Sequence, residues 1–207
     1  CIQECMKEYE PQIKNHHLIR NRKCAIRTTT KIIELSEKYD TIVYLAHVAT
    51  AEEIELIKEA KKTNKKIFCE VTPHHLLITR NVLDKVENWG RVNPPLRDYK
   101  DNDRIYEALL DGTVDTIGTD HAPHQLSEKN EVYAKAPSGF PGFETCMPLL
   151  LNEVNKGNLE LELVEKVTSK NSAKIFNLKD RGYIKIGYFA DLVVLDMDKK
   201  LKVNPNN

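Results

Sequence analysis

The feature that most constrains this chain is a repeated alternation of short apolar strands and amphipathic helices, in which the strands run into histidines or acids at their ends. Thr41-Ile42-Val43-Tyr44-Leu45-Ala46-His47-Val48 is a continuous apolar run rich in β-branched residues, the pattern of a strand buried on both faces of a parallel sheet. Thr50 with Glu53 forms a capping-box pattern, and Ile54, Ile57 and Ala60 continue at helical spacing. Residues 67–71 predict a second strand and residues 115–119 a third. Before the third strand the spacing predicts a helix over 101–110, which Gly112 is placed to end. An amphipathic helix is expected earlier, over 22–38. The alternation predicts a parallel α/β architecture. Past residue 120 the pattern changes to a long loop at 125–142, helices over 143–176, and two further β-strands at 182–187 and 190–196. The expected division is therefore a main unit over 1–180 and part of a smaller β unit over 181–207.

Charge narrows the partners. The 207 residues carry 31 Lys+Arg against 31 Asp+Glu, so there is no cationic surplus for nucleic acid or an anionic membrane. At 41% hydrophobic and 30% charged residues the chain can bury a core. No apolar run approaches the roughly 20 residues of a membrane helix, and the first residues lack the pattern of a signal peptide. Cys1, Cys5, Cys24, Cys69 and Cys146 are odd in number and include no CxxC pair. The expectation is free thiols in a reducing cytoplasm, with Cys24 and Cys69 as small buried hydrophobes.

The candidate chemistry sits at the strand ends, where parallel α/β folds assemble their sites. His47 ends the first strand. Read by itself, it is better taken as a core histidine bonded to a backbone carbonyl. Asp120 at the end of the third strand favours function, because an acid and an imidazole from different strands can converge on one metal ion. Asp120, His121 and His124 crowd five residues around Ala122-Pro123, and an Asp among imidazoles can move protons; the plainer reading is a turn-capping Asp beside solvated histidines. Asn93-Pro94-Pro95-Leu96-Arg97 is a stiff loop that would fix an amide and a guanidinium in place. His74 and His75 are expected to pack beneath the site, and His16 and His17 to lie on the surface.

Five strings in order carry a resemblance: residues 45–50, 70–76, 93–97, 119–124 and 138–145 (Leu-Ala-His-Val-Ala-Thr, Glu-Val-Thr-Pro-His-His-Leu, Asn-Pro-Pro-Leu-Arg, Thr-Asp-His-Ala-Pro-His, Ser-Gly-Phe-Pro-Gly-Phe-Glu-Thr). Together they closely resemble the dihydroorotases of the amidohydrolase superfamily. The closing run 187–196 resembles the strand by which such chains return to a small β-sandwich. The resemblance implies a (β/α)8 TIM barrel of the metal-dependent hydrolase type, of which this chain holds about the last three strands. It implies Zn2+ as cofactor and reversible conversion of dihydroorotate to N-carbamoyl-aspartate in pyrimidine biosynthesis. By the same resemblance, His47 is a metal ligand, and Asp120 touches the metal and serves as catalytic base and proton donor. Asn93 and His124 hold the substrate carboxylate, and the backbone at Ser138 and Gly139 borders the ring.

The sequence also departs from that family. No HxH pair occurs anywhere, and no strand precedes the one resembling the sixth of the barrel. The chain is accordingly expected to be the C-terminal portion of a longer enzyme, inactive alone, with its other metal ligands elsewhere. Neighbouring readings are hydantoinase, dihydropyrimidinase or allantoinase. A reading of another class is a non-catalytic relative that binds aspartate transcarbamoylase. Self-association into a homo-oligomer is a further expectation of the resemblance.

Overall fold

The structure is a computed structural model that describes residues 1–200, 202 and 203. The chain divides into two compact units, Cys1–Phe143 and a second beginning at Glu144.

The first unit is built on a parallel three-stranded sheet in the order β1 (Val43–Leu45), β2 (Ile67–Val71), β3 (Thr116–Ile117). Val43 aligns with Ile67, and Glu70 with Thr116. The 13-residue Ala51–Thr63 helix connects β1 to β2, and the Tyr99–Leu110 helix precedes β3. Local chemistry sets both helix starts. The Thr50 hydroxyl accepts from the Glu53 N–H, while Asp98 and Asp101 form a reciprocal capping box. Their inner faces, Ile54, Ile57, Ile105, Ala108 and Leu109, are fully buried, which removes apolar area from water at about 25 cal/mol per Å2. Arg22 donates to Glu52 and Asp101, and Asp101 also accepts from the Ala51 N–H. One buried carboxylate thus joins the Tyr99–Leu110 helix to the starts of the Arg22–Tyr39 and Ala51–Thr63 helices.

Several expectations are corrected. The strands are not buried on both faces: Ile67, Cys69 and Val71 are covered, whereas Phe68 and Glu70, on the opposite face, are half-buried. That second face carries a polar cluster, in which the Tyr44 hydroxyl donates to Glu70 (2.8 Å) and pairs with Thr116 (2.6 Å). His16 is no surface residue. It is 1% exposed, bonded to the Tyr133 hydroxyl and the Val92 carbonyl, and burial lowers its pKa to about 4. His17 is half-buried. Cys24 is not a free thiol: it is bonded to Cys1 across 23 residues. Cys69 behaves as expected, fully buried with its thiol pushed up to about 12 by burial.

From the end of the first unit onward the Phe143–Asn155, Leu161–Glu165 and Asn171–Ile175 helices fall where helices were expected. The two strands expected at 182–187 and 190–196 are not formed. Much of their apolar surface is uncovered: Ile184, Ile186 and Val194 are 92%, 101% and 95% exposed. A strand pair without a covering layer is marginal in water.

Candidate functional site

Two strand ends present their side chains from an unusual backbone. His47 (φ 43°) and Asp120 (φ 47°) are both left-handed, although neither is glycine, and such residues concentrate where a site dictates the backbone. Glu70 explains the turn at His47: its carboxylate accepts from the His47 N–H (3.3 Å), and its backbone carbonyl accepts from the Val48 N–H (2.9 Å). Glu70 also fixes the residue across from it. A Cβ on Gly118 would fall 2.3 Å from the Glu70 carboxyl carbon, so the glycine leaves the Glu70 carboxylate the space it occupies. This role of Glu70 had no signal in the sequence beyond an acid inside a strand.

Asp120 is partly buried, and burial holds its carboxyl above the ordinary carboxylate range, with the charge of His47 pulling the other way. The two side chains are thus electrostatically coupled. A carboxyl raised in this way is a better proton acceptor than a free aspartate. Next to it, His121 Nδ1 accepts the N–H groups of Gly142 (3.0 Å) and Phe143 (3.2 Å), and the imidazole stacks on Phe143 at 3.9 Å. These bonds leave the His121 proton on Nε2.

Asn93 and His47 line one cavity of about 540 Å3, together with Arg20, Tyr44 and Arg97. The Asn93 side-chain oxygen is buried, with the amide next to His16. Beneath this loop, His75 bridges the Thr72 hydroxyl (2.8 Å) and the Pro94 carbonyl (3.0 Å). It is fully buried, and burial keeps it neutral. Arg97 is buried and its two terminal nitrogens donate to the carbonyls of His17 and Arg20, so it holds the chain together.

His124, Ser138 and Gly139 form a second group. His124 Nε2 donates to the Ser138 carbonyl (3.2 Å). Gly139 has φ 119°, and a Cβ there would sit 2.5 Å from the Cβ of Ala122, so the loop packs tightly against the turn after Asp120. The Ala122 N–H donates to the Phe140 carbonyl, and the Gly139 N–H to the Arg91 carbonyl (2.8 Å). Through Arg91 this second group is tied to the segment bearing Asn93. Arg91, which makes the tie, was not singled out from sequence.

The donors present do not amount to a metal centre by themselves. Among the described residues no three His, Cys, Asp or Glu side chains come together to hold an ion, and His47 with Asp120 falls short of the three protein ligands usual at a catalytic zinc. Nor is any helix among the described residues long and apolar enough to cross a membrane.

The chain is 42% identical over 177 residues to a dihydroorotase of Endomicrobium trichonymphae, covering 85% of this chain and 41% of that protein. It is 38% identical over 174 residues to a dihydroorotase of Halobacterium salinarum, covering 84% and 40%. It therefore spans about two-fifths of the length of these relatives. Among solved structures it is similar to an L-hydantoinase (dihydropyrimidinase) from Arthrobacter aurescens, with a TM-score of 0.93 and 29% identity over 98% of this chain and 47% of that one. A dihydropyrimidinase from Brevibacillus agri matches with a TM-score of 0.83 and 26% identity over 91% and 43%. The sequence pattern of the amidohydrolase family runs through residues 3–207, and on that match the chain belongs to the amidohydrolase family.

Proposed function

We propose that this chain carries the later strands of a dihydroorotase barrel and part of its substrate cradle, and that the complete enzyme interconverts dihydroorotate and N-carbamoyl-aspartate. The observation that carries the reading is the backbone tie from Gly139 to Arg91, which joins the group of His124, Ser138 and Gly139 to the segment bearing Asn93. An anionic ring needs donors opposite the reacting bond. The Asn93 amide and His124 imidazole are suited to a carboxylate. In ring opening a water oxygen bonds to the amide carbon, and the carbon–nitrogen bond breaks. Asp120 takes the proton from that water and returns it to the departing nitrogen. His47 and Asp120 are the donors this chain would contribute to Zn2+, whose chemistry when bound is to polarise the scissile carbonyl. A cytoplasmic location is part of the same proposal.

A second reading has support in the solved structures, whose names are hydantoinase and dihydropyrimidinase. Those cyclic amides lack the carboxylate that Asn93 and His124 would hold. The test is turnover by a full-length enzyme carrying these residues, unsubstituted and as Asp120→Ala. Conversion in both directions is expected to vanish in the variant, and a near-normal kcat would refute the role given to Asp120.

A further inference from the structure

Lys129 ends the four-residue Leu126–Lys129 helix inside the long loop, yet it is only 5% exposed. Its ammonium donates to the carbonyls of Gly139 (2.9 Å), Pro137 (3.0 Å) and Arg91 (3.3 Å). Three N–H donors meet three acceptors, and none of the ion pairs among the described residues involves it. Burying an ammonium without a carboxylate is costly. An apolar side chain in the same space would leave the Pro137 and Gly139 carbonyls without this donor, so the ammonium is held there by what it joins.

The three acceptors share one property, which is that they bracket the proposed ligand cradle. Pro137 and Gly139 flank Ser138, whose carbonyl receives His124. Arg91 lies two residues before Asn93, and its carbonyl also receives the Gly139 N–H. The circuit is closed by the Arg91 guanidinium, which donates to the carbonyls of Tyr133 and Ala136 and lies 4.1 Å over the Tyr133 ring. His16 completes it by bridging the Tyr133 hydroxyl and the Val92 carbonyl.

We propose that Lys129 is a positioning residue for the substrate: its ammonium locks the Ser138–Gly139 backbone to the Asn93 segment, so that both walls of the cradle are set before a ligand arrives. The proposal rests on the reading that these residues form the cradle. Lys129 makes no contact with reacting atoms in this account. Its substitution should therefore weaken binding rather than chemistry.

Two measurements on the full-length enzyme decide it. The first is hydrogen exchange at the Gly139 and Ala122 amides. Lys129→Met should accelerate both by about tenfold or more, leaving the Tyr99–Leu110 helix unchanged. The second is steady-state kinetics with whichever of dihydroorotate or dihydrouracil the unsubstituted enzyme hydrolyses, which separates failure of this inference from failure of the functional reading. KM should rise by about tenfold with kcat changed by less than about threefold, and Lys129→Arg should recover most of the loss. Unchanged exchange, an unchanged KM, or a loss confined to kcat would overturn the proposal. If Lys129→Met does not fold, the unsubstituted enzyme decides by its pH profile. Burial, reinforced by the charge of Arg91, lowers the Lys129 pKa to about 8, and the neutral amine has two N–H groups for three carbonyls. Of the groups facing it, Arg91 keeps its charge, the Tyr133 phenol is pushed up by burial and His16 is already neutral. KM should rise above about pH 8, and a KM flat to about pH 10 would overturn the idea.

Discussion

His47 and Asp120 share a left-handed backbone that costs each of them on the order of 1 kcal/mol, which a glycine would not incur. The site holds them there. His47→Gly is therefore expected to leave thermal stability unchanged or raised by about 1 kcal/mol while removing the imidazole from the site. A marked drop in Tm would show that His47 is a core residue after all. His16 gives a prediction of a different kind. Its pKa falls from 6.5 to about 4 on folding, so between those values the unfolded chain binds more protons than the folded one, and stability rises with pH across that window. Stability should fall as pH drops from about 6.5 to 4, by about 3 kcal/mol from His16 alone, with His75 acting in the same direction. Urea titrations of the chain and of His16→Gln would check this, and an unaltered slope in the variant would contradict it. The strand-end positions of His47 and Asp120 were legible because an apolar run stopping at a polar residue is a local signal. The burial of His16 was not, since its two partners lie 76 and 117 residues away.

At the scale of elements, caps and periodicity specify the helices. Thr50 supports the Ala51–Thr63 helix by its cap and by a further bond to Glu53 (2.9 Å). Thr50→Ala should cost about 1 kcal/mol, measurable by chemical denaturation, and a change of a few tenths would show that the cap is replaced. The strand, helix, strand order was readable for the same reason, because periods of two and 3.6 residues need no long-range information. Sidedness was not readable. The run 41–48 has apolar residues on both faces, and only the Tyr44–Glu70–Thr116 cluster shows that the second face of the sheet carries polar bonds. The run 182–196 has the right alternation for strands and no ladder to join, since hydrogen-bond partners are supplied by neighbours and not by pattern. Lys129 and Arg91 escaped notice because a lysine in a polar loop looks solvated until its carbonyl acceptors, 8 to 38 residues away, are seen.

For the whole molecule, the balance of 31 cationic and 31 anionic residues leaves the site's chemistry to individually placed groups. His47 and Asp120 are too few to retain a metal ion, so the 207-residue chain, dialysed after loading, should keep far less than one zinc per chain. Stoichiometric retention would mean that the site is more complete than its donors indicate. The central claim is that the walls formed by Asn93 and by His124 with Ser138–Gly139 select a cyclic amide bearing a carboxylate. The most direct measurement is kcat/KM for dihydroorotate against dihydrouracil in the full-length enzyme, unsubstituted and as Asn93→Ala. The account predicts a preference for dihydroorotate of about 100-fold or more, largely lost in the variant through a higher KM. Equal turnover of the two, or a preference for dihydrouracil, would contradict it.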